Sequence, residues 1–326
     1  MYMSANQIPL KRIFIITFTL VVVATIAVAL IIPSKSGFSG AYGLLSKSDT
    51  LRIQNPVYQV PIPKAISFAG EQVPIHQFDV RESLDRELQV NTYWHSQTVL
   101  LLKRANRYFP IIEPILKEKG IPDDFKYLAV AESALTQAVS PAQAVGFWQI
   151  LAATGRELNL EVNDEVDERY HIEKSTYAAC DFLIRSYNNY GNWTMAAASY
   201  NFGRTGINRQ MARQGNNNYY DMVLGEETGR YLFRILAFKV IFEHPELYGF
   251  HLMPDELYPP LKFFEVEVDS AVTSFAQFAE HFNTNYKMLK LYNPWLRESY
   301  LTNKRGQSYS IKIPETGFRE SAYGSY

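Results

Sequence analysis

The alternation of apolar and polar positions divides the chain into stretches of different period. Ile13 to Ile32 is twenty residues without a charge, relieved only by Thr17, Thr19 and Thr25. At a helical rise of about 1.5 Å per residue it covers ~30 Å, the thickness of a bilayer's hydrocarbon core. The run follows Lys11-Arg12 and leads into Pro33-Ser34-Lys35. It exceeds the roughly 7–15 apolar residues of a cleaved signal peptide. The pattern predicts an uncleaved transmembrane signal anchor over residues 13–32, a cytoplasmic N-terminus over 1–12, and the bulk of the chain on the far side of the membrane. Residues 33–75, rich in Ser and Gly and then in Pro, predict a tether.

From residue 76 to 252 the apolar positions recur with a helical period. Val99 to Tyr108 forms one helical stretch that should stop before Pro110, and Ile111 to Leu116 a second, ended by Gly120. Pro122 opens a third with Asp123 and Asp124 in its first turn. Further helices are expected over Phe147–Thr154, from Ser175 to about Asn189 with Gly191 beyond, over Trp193–Asn201, and over Glu226–Glu243. No segment there alternates strictly enough for a strand. Pro254, Pro259 and Pro260 mark a linker over 253–260. Residues 261–315 then read as strand (263–268), two short helices (272–282 and 286–292) and strand (309–313), followed by a tail over 316–326. The fold class is mainly α: an all-α domain, a small α+β (βααβ) module and an N-terminal transmembrane helix.

Composition narrows the function. With 326 residues and 47% hydrophobic content there is material for about two folded domains. The 32 basic and 33 acidic residues give a net charge of −1, which argues against nucleic acid as a partner. A lone cysteine, Cys180, excludes an internal disulfide framework, and its apolar neighbours suit a small core residue. The six histidines show no metal-ligand spacing, and Gly203-Arg204-Thr205-Gly206 is too short for a phosphate loop. No cofactor and no metal site are expected. The acidic run Asp164, Glu165, Asp167 and Glu168 lacks calcium-loop spacing and reads as a solvated loop.

The candidate chemistry starts at Glu132. Phe125, Leu128, Ala129 and Glu132 fall at i, i+3, i+4 and i+7, which puts a carboxyl on an apolar face in a helix's last turn. Desolvation there would raise its pKa toward what a general acid needs. Around it stand Glu132-Ser133, Ser140-Pro141, Gly146-Phe147-Trp148-Gln149-Ile150, Ala198-Ser199-Tyr200-Asn201 and Glu227-Thr228 with Tyr231.

The order and spacing of these motifs resemble the soluble lytic transglycosylase family of goose-lysozyme-like fold, over roughly residues 78–250. The resemblance implies a peptidoglycan lytic transglycosylase, a carbon–oxygen lyase acting on polysaccharide. In this reading Glu132 is the single catalytic acid, and Ser133, Ser140, Gln149, Tyr200, Asn201, Glu227 and Tyr231 are substrate-binding residues. The hydroxyl of Tyr200 is expected to face the catalytic carboxyl. Phe147-Trp148, where the family usually has Leu-Met, should reshape the sugar groove. The implied partners are peptidoglycan glycan strands, with the enzyme held at the inner membrane and its catalytic domain on the cell-wall side. A muramidase of the same fold and a non-catalytic glycan-binding scaffold are the alternatives. The C-terminal segment resembles a LysM domain through Phe264-x-Val266, Leu291-Tyr292-Asn293-Pro294 and Ile311-x-Ile313-Pro314, but reads Val268-Asp269-Ser270-Ala271 where the usual motif is Gly-Asp-Thr-Leu.

Overall fold

The computed structural model describes residues 58–323. The expected transmembrane span lies outside the described residues. Among those that are described, no helix is long and apolar enough to cross a membrane.

The described chain begins with a segment that composition alone assigns to the tether. Its Val60, Ile66, Phe68, Val73 and Ile75 are all buried in the main core. A short hairpin, β1 (Ser67–Phe68) and β2 (Glu71–Gln72), pairs Ser67 with Gln72. Residues 58–75 are therefore part of the folded unit, and any tether ends before them.

Eight helices make the catalytic-domain core: α1 (Phe78–Tyr93), α2 (His95–Glu118), α3 (Lys126–Ser133), α4 (Ala152–Glu157), α5 (Ile172–Tyr190), α6 (Trp193–Phe202), α7 (Arg204–Gln214) and α8 (Glu226–Glu243). The long central helix α8 is buried along most of its length and packs on α1, α3 and α6. A buried carboxylate joins α1 to α8: Glu87 is 1% exposed and accepts a bond from Arg230 Nε at 2.7 Å.

Two boundaries differ from the sequence expectation. α2 runs unbroken through Pro110 and Pro114. Leu101, Ala105, Ile112 and Leu116 hold one buried face across both prolines. Burying each large aliphatic residue contributes about 1.5–3 kcal/mol, enough to offset the ~3 kcal/mol typical of an interior proline. The helix expected over 147–154 is instead a turn through Gln149 followed by α4, because Gly146 and Gln149 adopt left-handed backbone.

After the linker, β3 (Phe263–Val268), α9 (Phe275–His281), α10 (Tyr286–Tyr292) and β4 (Tyr309–Pro314) form the βααβ module. Its strands are antiparallel, pairing Phe263 with Pro314 and Val268 with Tyr309. A second apolar cluster combines module residues such as Phe275, Leu289, Leu296 and Ile311 with Val145, Val166 and Tyr170 of the helical domain. The linker is docked as well: Arg107 Nε donates to the Pro259 carbonyl at 2.9 Å, and Asn106 Nδ2 to the Tyr258 carbonyl at 3.0 Å.

The hairpin also closes a helix end. The Glu71 carboxylate accepts from the backbone N–H groups of Trp193 (2.5 Å) and Thr194 (2.9 Å) at the start of α6, and from the Thr194 hydroxyl (2.7 Å). Loss of a charged cap of this kind costs about 1–2 kcal/mol. Glu71→Ala is accordingly expected to lower the unfolding midpoint by that amount in a denaturant titration; an unchanged midpoint would mean the cap contributes nothing.

Candidate active site

Glu132 sits where α3 ends. The helix stops at Ser133 because Ala134 and Leu135 both turn left-handed, at φ 54° and 53°. Leu135 is buried and Arg104 Nη1 donates to the Ala134 carbonyl at 3.1 Å, so the turn is held from both sides. This leaves Glu132 in the last helical turn, partly exposed beside fully buried Leu128 and Ala129. Tyr231 of α8 donates its hydroxyl to Glu132 Oε1. Burial pushes the Glu132 carboxyl up to about 7; the Tyr231 bond and Arg234 pull it down, and the charge of Glu227 pushes it up. A carboxyl balanced there can give a proton in one step and take one in the next.

Tyr200 departs from the expectation. Its hydroxyl donates to the Trp148 carbonyl at 2.7 Å, so the phenol bonded to the carboxyl is Tyr231. Burial raises Tyr200 well above the usual tyrosine range, with the charge of Glu132 adding to the shift. Burial and then Glu132 do the same to Tyr231. Both phenols therefore remain protonated donors.

Asn201 joins α6 to α8. Its Oδ1 accepts from Thr228 Oγ1 at 2.8 Å and its Nδ2 donates to Glu227 Oε1 at 3.3 Å. Glu227 itself is exposed. Helices α3, α6 and α8 thus bring Glu132, Tyr200, Asn201, Glu227 and Tyr231 together. The two serines turn inward on local backbone: buried Ser133 donates to the Ala129 carbonyl at 3.2 Å, and Ser140 Oγ accepts from Ala144 N–H at 3.0 Å, closing a tight turn.

Gln149 pins the loop that carries it. Nε2 donates to the carbonyls of Ala138 (3.0 Å) and Gly146 (2.9 Å), while Oε1 takes no bond among the described residues. The neighbours expected to shape the groove do not reach it. Phe147 and Trp148 are both buried, and Trp148 Nε1 donates to Thr176 Oγ1 at 2.8 Å. The backbone alternation forced by left-handed Gly146 and Gln149 turns this aromatic pair into the core.

Arg169 was not singled out by the sequence, although it is the one base closing an acidic run. It is 8% exposed and binds both oxygens of Asp167, at 2.9 and 2.7 Å. Its Nη1 donates to the carbonyls of Ile150 (3.1 Å) and Gln143 (3.3 Å). The acidic run is consequently structural: Asp167 and Glu168 are buried, Glu168 accepting from Glu161 N–H and pairing with Lys174. Four non-glycine residues of this region, Ala134, Leu135, Gln143 and Gln149, are left-handed. Each costs about 1–2 kcal/mol and persists only where its surroundings fix it.

One buffered carboxyl among neutral hydrogen-bonding groups, at the junction of three helices, defines a general acid–base site of the transglycosylase class. Residues 109–223 match the profile of the transglycosylase SLT domain, and the chain carries that domain. Residues 264–317 match the soluble lytic transglycosylase C-terminal LysM-like domain. The chain is homologous to the membrane-bound lytic murein transglycosylase D of Escherichia coli strain K12 and to that of E. coli O6:H1, at 28% identity over 242 residues in each case. The alignment takes in 72% of this chain, which spans about half (52%) of each curated relative it matches.

Two expectations follow from this geometry. Glu132 holds its proton more tightly when folded than the unfolded carboxyl near 4.5. Its contribution to stability is complete below pH 4.5 and is lost as the pH rises through about 7. Glu132→Gln cannot ionise, so it should raise Tm at pH 8 by roughly 2–4 °C and leave it nearly unchanged at pH 4; calorimetry at the two pH values checks this. Secondly, a Cβ on Gly146, at φ 79°, would lie 2.2 Å from the Arg169 carbonyl. Gly146→Ala should collapse the Gln149 loop and cut glycan cleavage by about 10²-fold or more. Gly120→Ala, also at positive φ but with nothing within 4 Å, should cost only about 1 kcal/mol and spare activity.

Proposed function

We propose that this protein is a peptidoglycan lytic transglycosylase. It cleaves the β-1,4 bond between MurNAc and GlcNAc and leaves 1,6-anhydro-MurNAc ends. The observation that carries the reading is the raised pKa of Glu132, about 7, in a setting whose nearest hydrogen-bonding partner is a neutral phenol. In the first step Glu132 protonates the leaving 4-oxygen of GlcNAc as the C1–O bond breaks, and the N-acetyl oxygen of MurNAc shares the positive charge at C1. In the second, the ionised Glu132 takes the proton of the MurNAc 6-hydroxyl, whose oxygen bonds to C1. The net reaction adds no water, and the acid returns to its starting state.

Tyr231 orients the carboxyl and stabilises its anion between the steps. Gln149, with a free carbonyl oxygen, and Asn201 are the groups we assign to holding the glycan; Ser133, Ser140, Tyr200 and Glu227 support them. The chain's relatives are named as membrane-bound murein enzymes, and the Ile13–Ile32 run would hold this one at the inner membrane with its catalytic domain facing the wall. The LysM-like module is a second candidate contact for the glycan strand.

Glu227 favours one competing reading. It is the carboxylate whose charge Glu132 feels, and a second carboxylate could activate water for hydrolysis. Digestion of purified peptidoglycan in heavy-oxygen water separates the two. Anhydro ends without label are expected, each lighter than a hydrolytic product by one water. Labelled reducing ends would replace the lyase with a muramidase. Glu132→Gln should reduce turnover by about 10²–10⁴-fold while the protein still binds glycan. No loss would place the acid elsewhere.

A further inference from the structure

We propose that the C-terminal module acts as a clamp that positions the Gln149 loop for the glycan, through Glu165, Asp167 and Arg169, in addition to any glycan it binds itself. The inference rests on the transglycosylase reading for its kinetic consequence.

The docking contacts are specific and polar. The Glu165 carboxylate accepts from the N–H (2.7 Å) and hydroxyl (2.9 Å) of Thr302. Arg297 N–H donates to the Glu165 carbonyl at 2.7 Å, and Asp167 N–H donates to the Trp295 carbonyl at 2.9 Å. Val166 pairs with Leu296 as an isolated antiparallel bridge. The Arg297 guanidinium stacks on the Tyr170 ring, 4.1 Å from its centroid. Residues 295–302 of the module thus add a strand-like edge to the acidic segment, and fully buried Leu296 fills the apolar cluster behind it.

From that edge the constraint passes inward by direct contact. Asp167, held by the module through its backbone, binds Arg169 with both carboxylate oxygens. Arg169 then holds the carbonyls of Gln143 and Ile150, which flank the Gln149 turn. Val145, inside the same turn, packs in the module's own apolar cluster. The turn contains Gln143 and Gln149 in left-handed backbone, at φ 63° and 47°. A loop carrying such strain needs external contacts to stay in one conformation, and the described contacts on its outer side come from Arg169 and the module. A module serving only as a tethered binder would not need its linker docked or one of its loops committed to the catalytic domain.

The test uses the full chain with Glu165→Ala, which lies at the docking edge, and Glu165→Gln, which retains an acceptor for Thr302. Thr302→Val serves as a second variant should Glu165→Ala fail to fold. Hydrogen exchange of the amides in 143–150 and steady-state kinetics on short soluble glycan fragments are the readouts. Exchange in that loop should quicken by about tenfold in Glu165→Ala, with KM rising by roughly the same factor. The pH profile of kcat, set by Glu132, should not move, and Glu165→Gln should restore most of the difference. Unchanged loop exchange in a folded variant overturns the clamp, as does unchanged KM with a drop only in binding to whole sacculi. If the wild-type chain cleaves no glycan, the transglycosylase reading fails, and the exchange measurement alone decides the clamp: faster loop exchange supports it and unchanged exchange overturns it.

Discussion

The site depends on one constraint: a carboxyl must be dry enough to keep a proton near neutral pH and open enough to meet a sugar. Glu132 meets both conditions because its helix ends one residue later. Inside a longer helix the same side chain would be either fully exposed or wholly enclosed. Here fully buried Leu128 and Ala129 lie one turn behind it, the left-handed pair Ala134–Leu135 turns the chain away, and Tyr231 reaches across from α8. The phenol stabilises the anion without supplying a full positive charge, which leaves burial as the largest influence on the carboxyl. A lysine in that place would pull the acid down toward the ordinary carboxylate range, where it holds too little proton at neutral pH to act.

Holding that geometry consumes polar groups well away from the chemistry. Glu87, buried on α1, binds Arg230 on α8, and Arg234 one turn on lies 3.8 Å from the same carboxylate. The helix that presents Tyr231 is therefore fixed by an ion cluster beneath it. Truncating one partner of such a cluster would leave a buried charge unmatched, which costs far more than the pair contributes as a whole. The Gln149 loop has a parallel arrangement in Asp167 and Arg169. In both places a buried ion pair sets the position of a neutral site residue, so its value lies in specificity of shape more than in net stability.

Much of this was legible in the sequence, and the exceptions share a cause. α8 and α10 begin and end where their periodicity places them, and Gly191 closes α5 in left-handed conformation as a glycine stop should. Those boundaries are written in local chemistry. The prolines of α2 misled because their local cost is outweighed by a buried face that only tertiary packing reveals. Residues 58–75 misled because Pro and Gly content measures what a segment would do alone, and Phe68 has a core to enter. In the site, the motif residues do converge, but the partner of each was less legible. Which of two tyrosines meets Glu132 depends on how α6 and α8 cross, and Tyr200 loses that place to a backbone acceptor, the Trp148 carbonyl. Arg169 was invisible because nothing in a charge run tells which of its members will be buried.

The acidic run also alters what a two-domain description means for this chain. Solvated carboxylates would leave the helical domain and the module joined only by residues 253–260, and their cooperation would be a matter of effective concentration. Instead Glu165 is spent on Thr302, Glu161 accepts from the Tyr309 hydroxyl at 2.9 Å, and Glu173 pairs with Lys312. Three carboxylates from one domain meet three module residues, on either side of a shared apolar cluster. Burial and partnership hold Glu173 down to about 2, with the His171 and Lys312 contacts outweighing the opposing effect of desolvation. Such an interface keeps its charge at any pH where the site could work. The module's position is thus set independently of the protonation of Glu132, and an acid that must cycle its proton can be supported by a frame that does not titrate with it.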